Sequence, residues 1–121
     1  MNQHTIRVLG LKNCDTCRKA RKWLDVHGIA YDFIDYREHP PSAAELRDWA
    51  GQLGGWEKLV NRASTTWRQL ADAEKQAGTD DEWVALLQRH PALVKRPVLL
   101  TPDGSVSTGF KEADWARRLC G

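Results

Sequence analysis

The stretch Thr5-Ile6-Arg7-Val8-Leu9-Gly10-Leu11-Lys12-Asn13-Cys14-Asp15-Thr16-Cys17-Arg18-Lys19-Ala20 decides the fold of this chain. Its first part alternates, with Ile6 and Val8 on one side and Arg7 on the other, which predicts a strand over residues 5–10. From Asp15 the pattern changes: Cys17, Ala20, Leu24 and His27 fall at helical spacing, and Gly28 supplies a stop. A strand therefore feeds a helix, with Asn13 and Cys14 at the junction. The first turn of a helix carries unpaired N–H groups and a partial positive charge, and both favour a thiolate over a thiol. In this register Cys14 is exposed at the helix mouth and Cys17 lies on the inward stripe. Cys14 is the expected nucleophile and Cys17 its sheltered, resolving partner, at a spacing that permits a disulfide under oxidation.

Composition narrows the class. The 121 residues suffice for one domain with a real core, and 41% hydrophobic with 28% charged residues is ordinary for a soluble protein. A net charge of +2 gives no argument for direct nucleic-acid binding or an anionic membrane. No apolar run approaches a transmembrane span, and Met1-Asn2-Gln3-His4 does not read as an export signal, so a cytoplasmic setting is expected, where disulfides are catalytic or sensory. A Cys-x-x-Cys with a second, distant pair would suggest zinc. Only Cys120 remains, and His27, His39 and His90 lack ligand spacing with Cys14 and Cys17, so no metal and no tightly bound cofactor is expected.

Residues 30–36, rich in Tyr, Phe and Ile, predict a second strand ended by Pro40-Pro41. Helical patterns follow. Ser42-Ala43-Ala44-Glu45 is a capping box opening a helix through Leu46, Trp49, Ala50 and Leu53, closed by Gly54-Gly55. Segments 56–60 and 67–73 flank a polar turn over 61–66, and Thr79-Asp80-Asp81-Glu82 is a second capping box before Trp83, Leu86, Leu87 and His90. Four tryptophans (Trp49, Trp56, Trp67, Trp83) fall in this middle and are read as core. Residues 98–101 and 105–108 form a hairpin about Pro102-Asp103-Gly104, and residues 110–119 a last helix with Trp115 and Leu119 inward. The order β-α-β, helices, β-β-α, with a parallel first pair and an antiparallel last pair, is an α/β, thioredoxin-like fold with a mixed sheet. Its parts are residues 4–39 and 92–120, and a helical subdomain is inserted over 40–91.

The motifs Cys14-Asp15-Thr16 with Arg18-Lys19-Ala20, Trp23-Leu24, Tyr31-Asp32-Phe33 with Asp35-Tyr36, Leu59-Val60-Asn61-Arg62, Lys95-Arg96-Pro97-Val98 and Gly109-Phe110-Lys111 span nearly the whole chain. Together they resemble the ArsC-like family of the thioredoxin fold, which groups glutaredoxin-coupled arsenate reductases, YffB-type proteins and Spx-type regulators. The similarity to YffB-type proteins is greatest. It implies a glutathione-dependent thiol reductase with Cys14 as nucleophile. It implies that Arg62 and Arg96 hold an anion, with Lys111 at a third cationic position. Lysine keeps the charge but lacks the planar fork of arginine, which counts against arsenate. Arg96-Pro97 matches the family's cis-proline step beside the active cysteine. Asn13, Arg62, Arg96, Pro97 and Lys111 thus form the expected substrate- and anion-binding set.

The expected function is a cytosolic, monomeric thiol–disulfide oxidoreductase, with glutathione as co-substrate and glutaredoxin as a partner. Two alternatives stand beside it: arsenate reduction, and an Spx-type redox sensor that binds RNA polymerase and uses the cysteine pair as its switch. Cys120 is read as a free thiol near the end of the last helix, and a resolving role for it is not required by the spacing.

Overall fold

The computed structural model describes residues 5–120; the reading of Met1–His4 lies outside them. The described chain divides into two compact units, one formed by residues 5–35 and 96–120, the other by Tyr36–Lys95.

The first unit is built on a four-stranded mixed sheet in the order β2-β1-β3-β4. Strand β1 (Ile6–Gly10) pairs parallel with β2 (Tyr31–Asp35) from Ile6↔Tyr31 to Gly10↔Asp35. On its other side β1 runs antiparallel to β3 (Val98–Leu100), with Val8 opposite Leu99, and β3 forms the hairpin with β4 (Val106–Thr108). Helix α1 (Asp15–Val26) makes the crossover between the parallel strands. A last helix, numbered α6 in chain order (Glu112–Leu119), follows the hairpin. Both helices pack on one sheet face: Val8 and Leu99 join Ala20, Trp23, Leu24 and Trp115 in a single core. Trp23 and Phe110 meet Trp115 edge-on, at ring separations of 6.2 and 4.9 Å. This is the thioredoxin-like arrangement expected from the sequence.

Several local expectations are corrected. His27 does not face inward; it is exposed beyond the end of α1, where its ring lies 4.1 Å from that of Trp23 and Nδ1 reaches the Trp23 carbonyl at 2.8 Å. Trp23, one position before Leu24, fills the inward stripe instead. Strand β2 is one residue shorter at each end than the expected 30–36, and α6 starts at Glu112, two residues later than its apolar pattern. Gly28 does stop α1, at φ +67°, with Ile29 N–H donating to the Leu24 carbonyl.

The second unit is helical. Helix α2 (Ala43–Leu53) opens on the Ser42–Glu45 capping box, and Gly54, at φ +95°, closes it. A 3-10 turn (Trp56–Lys58) and two short helices, α3 (Thr65–Arg68) and α4 (Asp72–Lys75), lead to α5 (Asp80–Arg89), which opens on the Thr79–Glu82 box. Tyr36 and Val94 tie the two ends of this unit together, the buried phenol donating to the Val94 carbonyl at 2.7 Å. Trp49 and Trp83 are core, as expected, but Trp56 and Trp67 are only half-buried. Each stacks on Trp83, about parallel to its indole, at 6.3 and 6.2 Å. Periodicity marks which way an indole points, and how much of so large a ring stays wet depends on its neighbours.

Candidate active site

The turn between β1 and α1 is held from both ends. Cys14 N–H donates to the Leu11 carbonyl at 3.2 Å, and Lys12 N–H donates to Asp35 Oδ2 at 3.2 Å. Asp35 ends the neighbouring strand, so the loop before Cys14 is fastened to β2.

Cys14 is the N-cap residue of α1, with extended backbone at φ −96°, ψ 125°. Its side chain makes no conventional capping bond, and its sulfur is only partly covered. Burial pushes the Cys14 thiol up, but the N–H of Cys17, the Cys17 thiol, the Arg96 guanidinium and the N–H of Thr16 together outweigh it, and the net direction is down. Those are the groups expected of a helix N-terminus with one cation beside it. Lys12, Arg18 and Lys19, close in sequence, are not among them. Arg18 instead reaches Asp15 at 3.1 Å and the Asn13 carbonyl at 3.5 Å.

Cys17 has the opposite environment. It is 0% exposed, and burial pushes its thiol up to about 11. The Leu11 N–H and Arg96 act in the lowering direction, while the negative Cys14 sulfur, which Cys17 hydrogen-bonds, adds to the rise. Neither cysteine is in a disulfide, and the two share one hydrogen bond in which the Cys17 thiol donates, a contact that favours the charged form of Cys14. At pH 7 a thiol held near 11 is ionised about once in ten thousand molecules.

Arg96 is half-buried and joined to the buried Pro97 by a cis peptide bond, and its charge acts on both sulfurs. The Pro97 carbonyl accepts from Gly109 N–H at 3.0 Å, which anchors the segment before α6. Lys111 is the exposed N-cap residue of α6. A cation at the positive end of a helix does not serve helix stability. Asn13 is exposed in the loop itself.

Arg62 belongs to the second unit. It is exposed, and its guanidinium lies over the rings of Trp67 and Trp83, at 5.7 and 5.8 Å from their centroids. The structure thus brings Cys14, Cys17 and Arg96 together, while Arg62 is defined by its indole contacts. Cys120 is exposed at the end of α6. His90 reaches Glu74 Oε2 at 3.1 Å, where Arg89 also pairs at 2.9 Å. Among the described residues no group of three or more His, Cys, Asp or Glu side chains is placed to hold a metal ion. Nor is any described helix long and apolar enough to cross a membrane.

Two residues around the cysteines escape sequence reasoning. Asp35 gives no local sign that it will accept from Lys12. Gly10, at the end of a strand, does carry a signal, since glycine there often marks a close approach. The atom that approaches is the Cys17 sulfur.

The family model described as the ArsC family matches residues 9–118. An uncharacterized protein of Haemophilus influenzae is 40% identical over 110 residues, covering 91% of this chain and 95% of its own. A solved YffB protein is 40% identical with a TM-score of 0.87, over 95% of this chain and 99% of its own. More distantly, an arsenate reductase of Neisseria meningitidis serogroup A is 29% identical over 86% of this chain and 89% of its own. A global transcriptional regulator Spx of Listeria innocua is 26% identical, over 88% and 81%.

Proposed function

The chain belongs to the ArsC family, and from that premise we propose that it is a thiol–disulfide oxidoreductase that uses glutathione and works through Cys14. The observation that carries the reading is the opposed state of the two cysteines: Cys14 partly exposed and drawn toward thiolate, Cys17 buried and held as thiol.

The Cys14 thiolate attacks the glutathione sulfur of a mixed disulfide, R–S–S–G. A Cys14–glutathione disulfide forms, the S–S bond of the mixed disulfide breaks, and the released R–S⁻ takes a proton from water. A second glutathione thiolate then attacks the bound glutathione sulfur, giving oxidised glutathione and restoring Cys14 as thiolate. Arg96 stabilises Cys14 between turnovers, and Arg96 with Lys111 receives the carboxylates of glutathione. Because Cys17 is fully buried, and that burial, the main cause that holds it as a thiol, persists in the mixed disulfide, the second glutathione rather than Cys17 resolves the intermediate, and Cys17 serves as the hydrogen-bond donor to the Cys14 thiolate. The setting is a reducing compartment such as the cytoplasm, with the protein acting as a monomer.

Arsenate reduction is the second reading, favoured by the relative that bears that name and by the same cation at the nucleophile. The test gives reduced protein either cysteine–glutathione disulfide with glutathione, or arsenate with glutathione and glutaredoxin, using wild type, Cys14→Ser and Cys17→Ser. We expect disulfide turnover in wild type and Cys17→Ser and none in Cys14→Ser. Turnover surviving in Cys14→Ser overturns the mechanism, and turnover of arsenate alone replaces the substrate. Failure on both, together with oxidation-dependent capture of RNA polymerase, moves the protein to the regulator class.

A further inference from the structure

We propose that Gly10 is a positioning residue for Cys14: by lacking a side chain it leaves the space in which the Cys17 sulfur sits, and so keeps that thiol within reach of the Cys14 sulfur. The proposal rests on the oxidoreductase reading and adds to it the residue that sets the cysteine geometry.

A Cβ placed on Gly10 would stand 2.4 Å from Cys17 Sγ, a separation that real side chains do not tolerate. The next atoms it would meet, Cys17 Cβ at 3.6 Å and Phe33 Cε1 at 3.7 Å, are ordinary contacts. The conflict is therefore with the sulfur, and with no other atom nearby. Nor does the backbone ask for glycine here. Gly10 is not among the positive-φ glycines, and it pairs regularly with Asp35 across the parallel ladder. What glycine provides at this position is room.

The sulfur that fills the room has little freedom to leave it. Cys17 is fully buried on the inward stripe of α1, in line with Ala20 and Leu24. A methyl group at position 10 would force its χ1 into another well or push α1 off the strand. Either response takes the thiol away from Cys14. Cys14 then loses a donor that favours its thiolate while the covering that disfavours it remains. One strand residue thereby sets the reactivity of the Cys14 sulfur through the Cys17 thiol.

The test uses the full chain in a Cys120→Ser background, with Gly10→Ala, Cys17→Ala and the double variant. It records the rate of Cys14 alkylation by iodoacetamide against pH, the adduct being identified by mass, together with the urea unfolding midpoint. Gly10→Ala is expected to move the Cys14 profile to higher pH, slow alkylation at pH 7 several-fold and lower the urea midpoint. Cys17→Ala should shift the profile in the same way. Adding Gly10→Ala to Cys17→Ala should shift the profile no further and should not lower the midpoint, because the atom in conflict is gone. An unchanged profile in folded Gly10→Ala, or a full additional effect in the Cys17→Ala background, overturns the proposal. If Gly10→Ala does not fold, a double variant that folds as stably as Cys17→Ala supports it, and one that also fails overturns it. The titration contains no glutathione. If Cys14 turns over neither substrate while the coupling persists, the proposed function falls and the role of Gly10 stands.

Discussion

Helix α1 and helices α2 and α5 begin in opposite ways. At α2 the Ser42 hydroxyl accepts from Glu45 N–H at 3.1 Å and Glu45 returns the bond to Ser42 N–H at 3.0 Å. At α5 Thr79 and Glu82 do the same, and Glu82 also accepts from Gly78 N–H. At α1 the capping position is held by a cysteine that makes no such bond. The N–H groups that oxygen caps would saturate are instead directed at a sulfur whose charge they stabilise. Two helix starts serve stability, and the third gives some of it up to keep an anion-stabilising end available for chemistry.

The largest break in this contrast is Cys14→Ser. Serine is among the best N-cap residues, so the substitution should raise the unfolding free energy measured in urea, by up to about 1 kcal/mol. Disulfide turnover should fall on the order of a thousandfold or more, because the nucleophile is gone. Loss of activity with a gain in stability would show that the uncapped start is functional.

The reverse holds at the other two helices. Ser42→Ala and Thr79→Ala should each cost about 1 kcal/mol in urea unfolding. Neither should alter the alkylation rate of Cys14 per folded molecule.

A third substitution, Arg96→Gln, sharpens the account of α1. The guanidinium favours the charged form of Cys14, so its removal should move the alkylation profile to higher pH and slow the reaction several-fold at pH 7. In wild type the rate should rise with pH through a midpoint below that of an ordinary thiol and then level off. Cys17, pushed up to about 11, should remain unreactive across the same range.

The smallest effect is expected at Arg62→Ala. An exposed guanidinium over two indoles contributes about 0.5–1 kcal/mol. The loss should appear in urea unfolding and in tryptophan fluorescence, with the Cys14 profile unchanged.

What could be read from the sequence follows from how local each signal is. Both capping boxes, the stop at Gly28 and the hairpin about Pro102–Gly104 are written within a few residues, and the structure reproduces them. The different surroundings of Cys14 and Cys17 were legible for the same reason, since helical register alone separates a mouth from an inward stripe. Gly10 was seen only as the end of a strand, because its neighbour lies on a different element and the relation appears only when β1 and α1 are packed. The half-exposed Trp56 and Trp67 were misread because an indole stacked on another indole has the spacing of a core residue without its full cover. Asp35 fastens the Lys12 loop from 23 residues away, a separation no periodicity reports.

The placement of β1 between an early and a late neighbour has a consequence for how the molecule is made. Its parallel partner β2 is complete by Asp35, but its antiparallel partner β3 begins only at Val98, after the whole second unit has been synthesised. During translation the β1-α1-β2 segment therefore waits with the β1 edge open while Tyr36–Lys95, continuous in the chain, can fold first. Closing so long a loop around a unit that is already compact costs less entropy than closing it around a disordered one. The sheet is then completed only after the second unit, and the arrival of Arg96 just before β3 brings the cation to Cys14 in that same step.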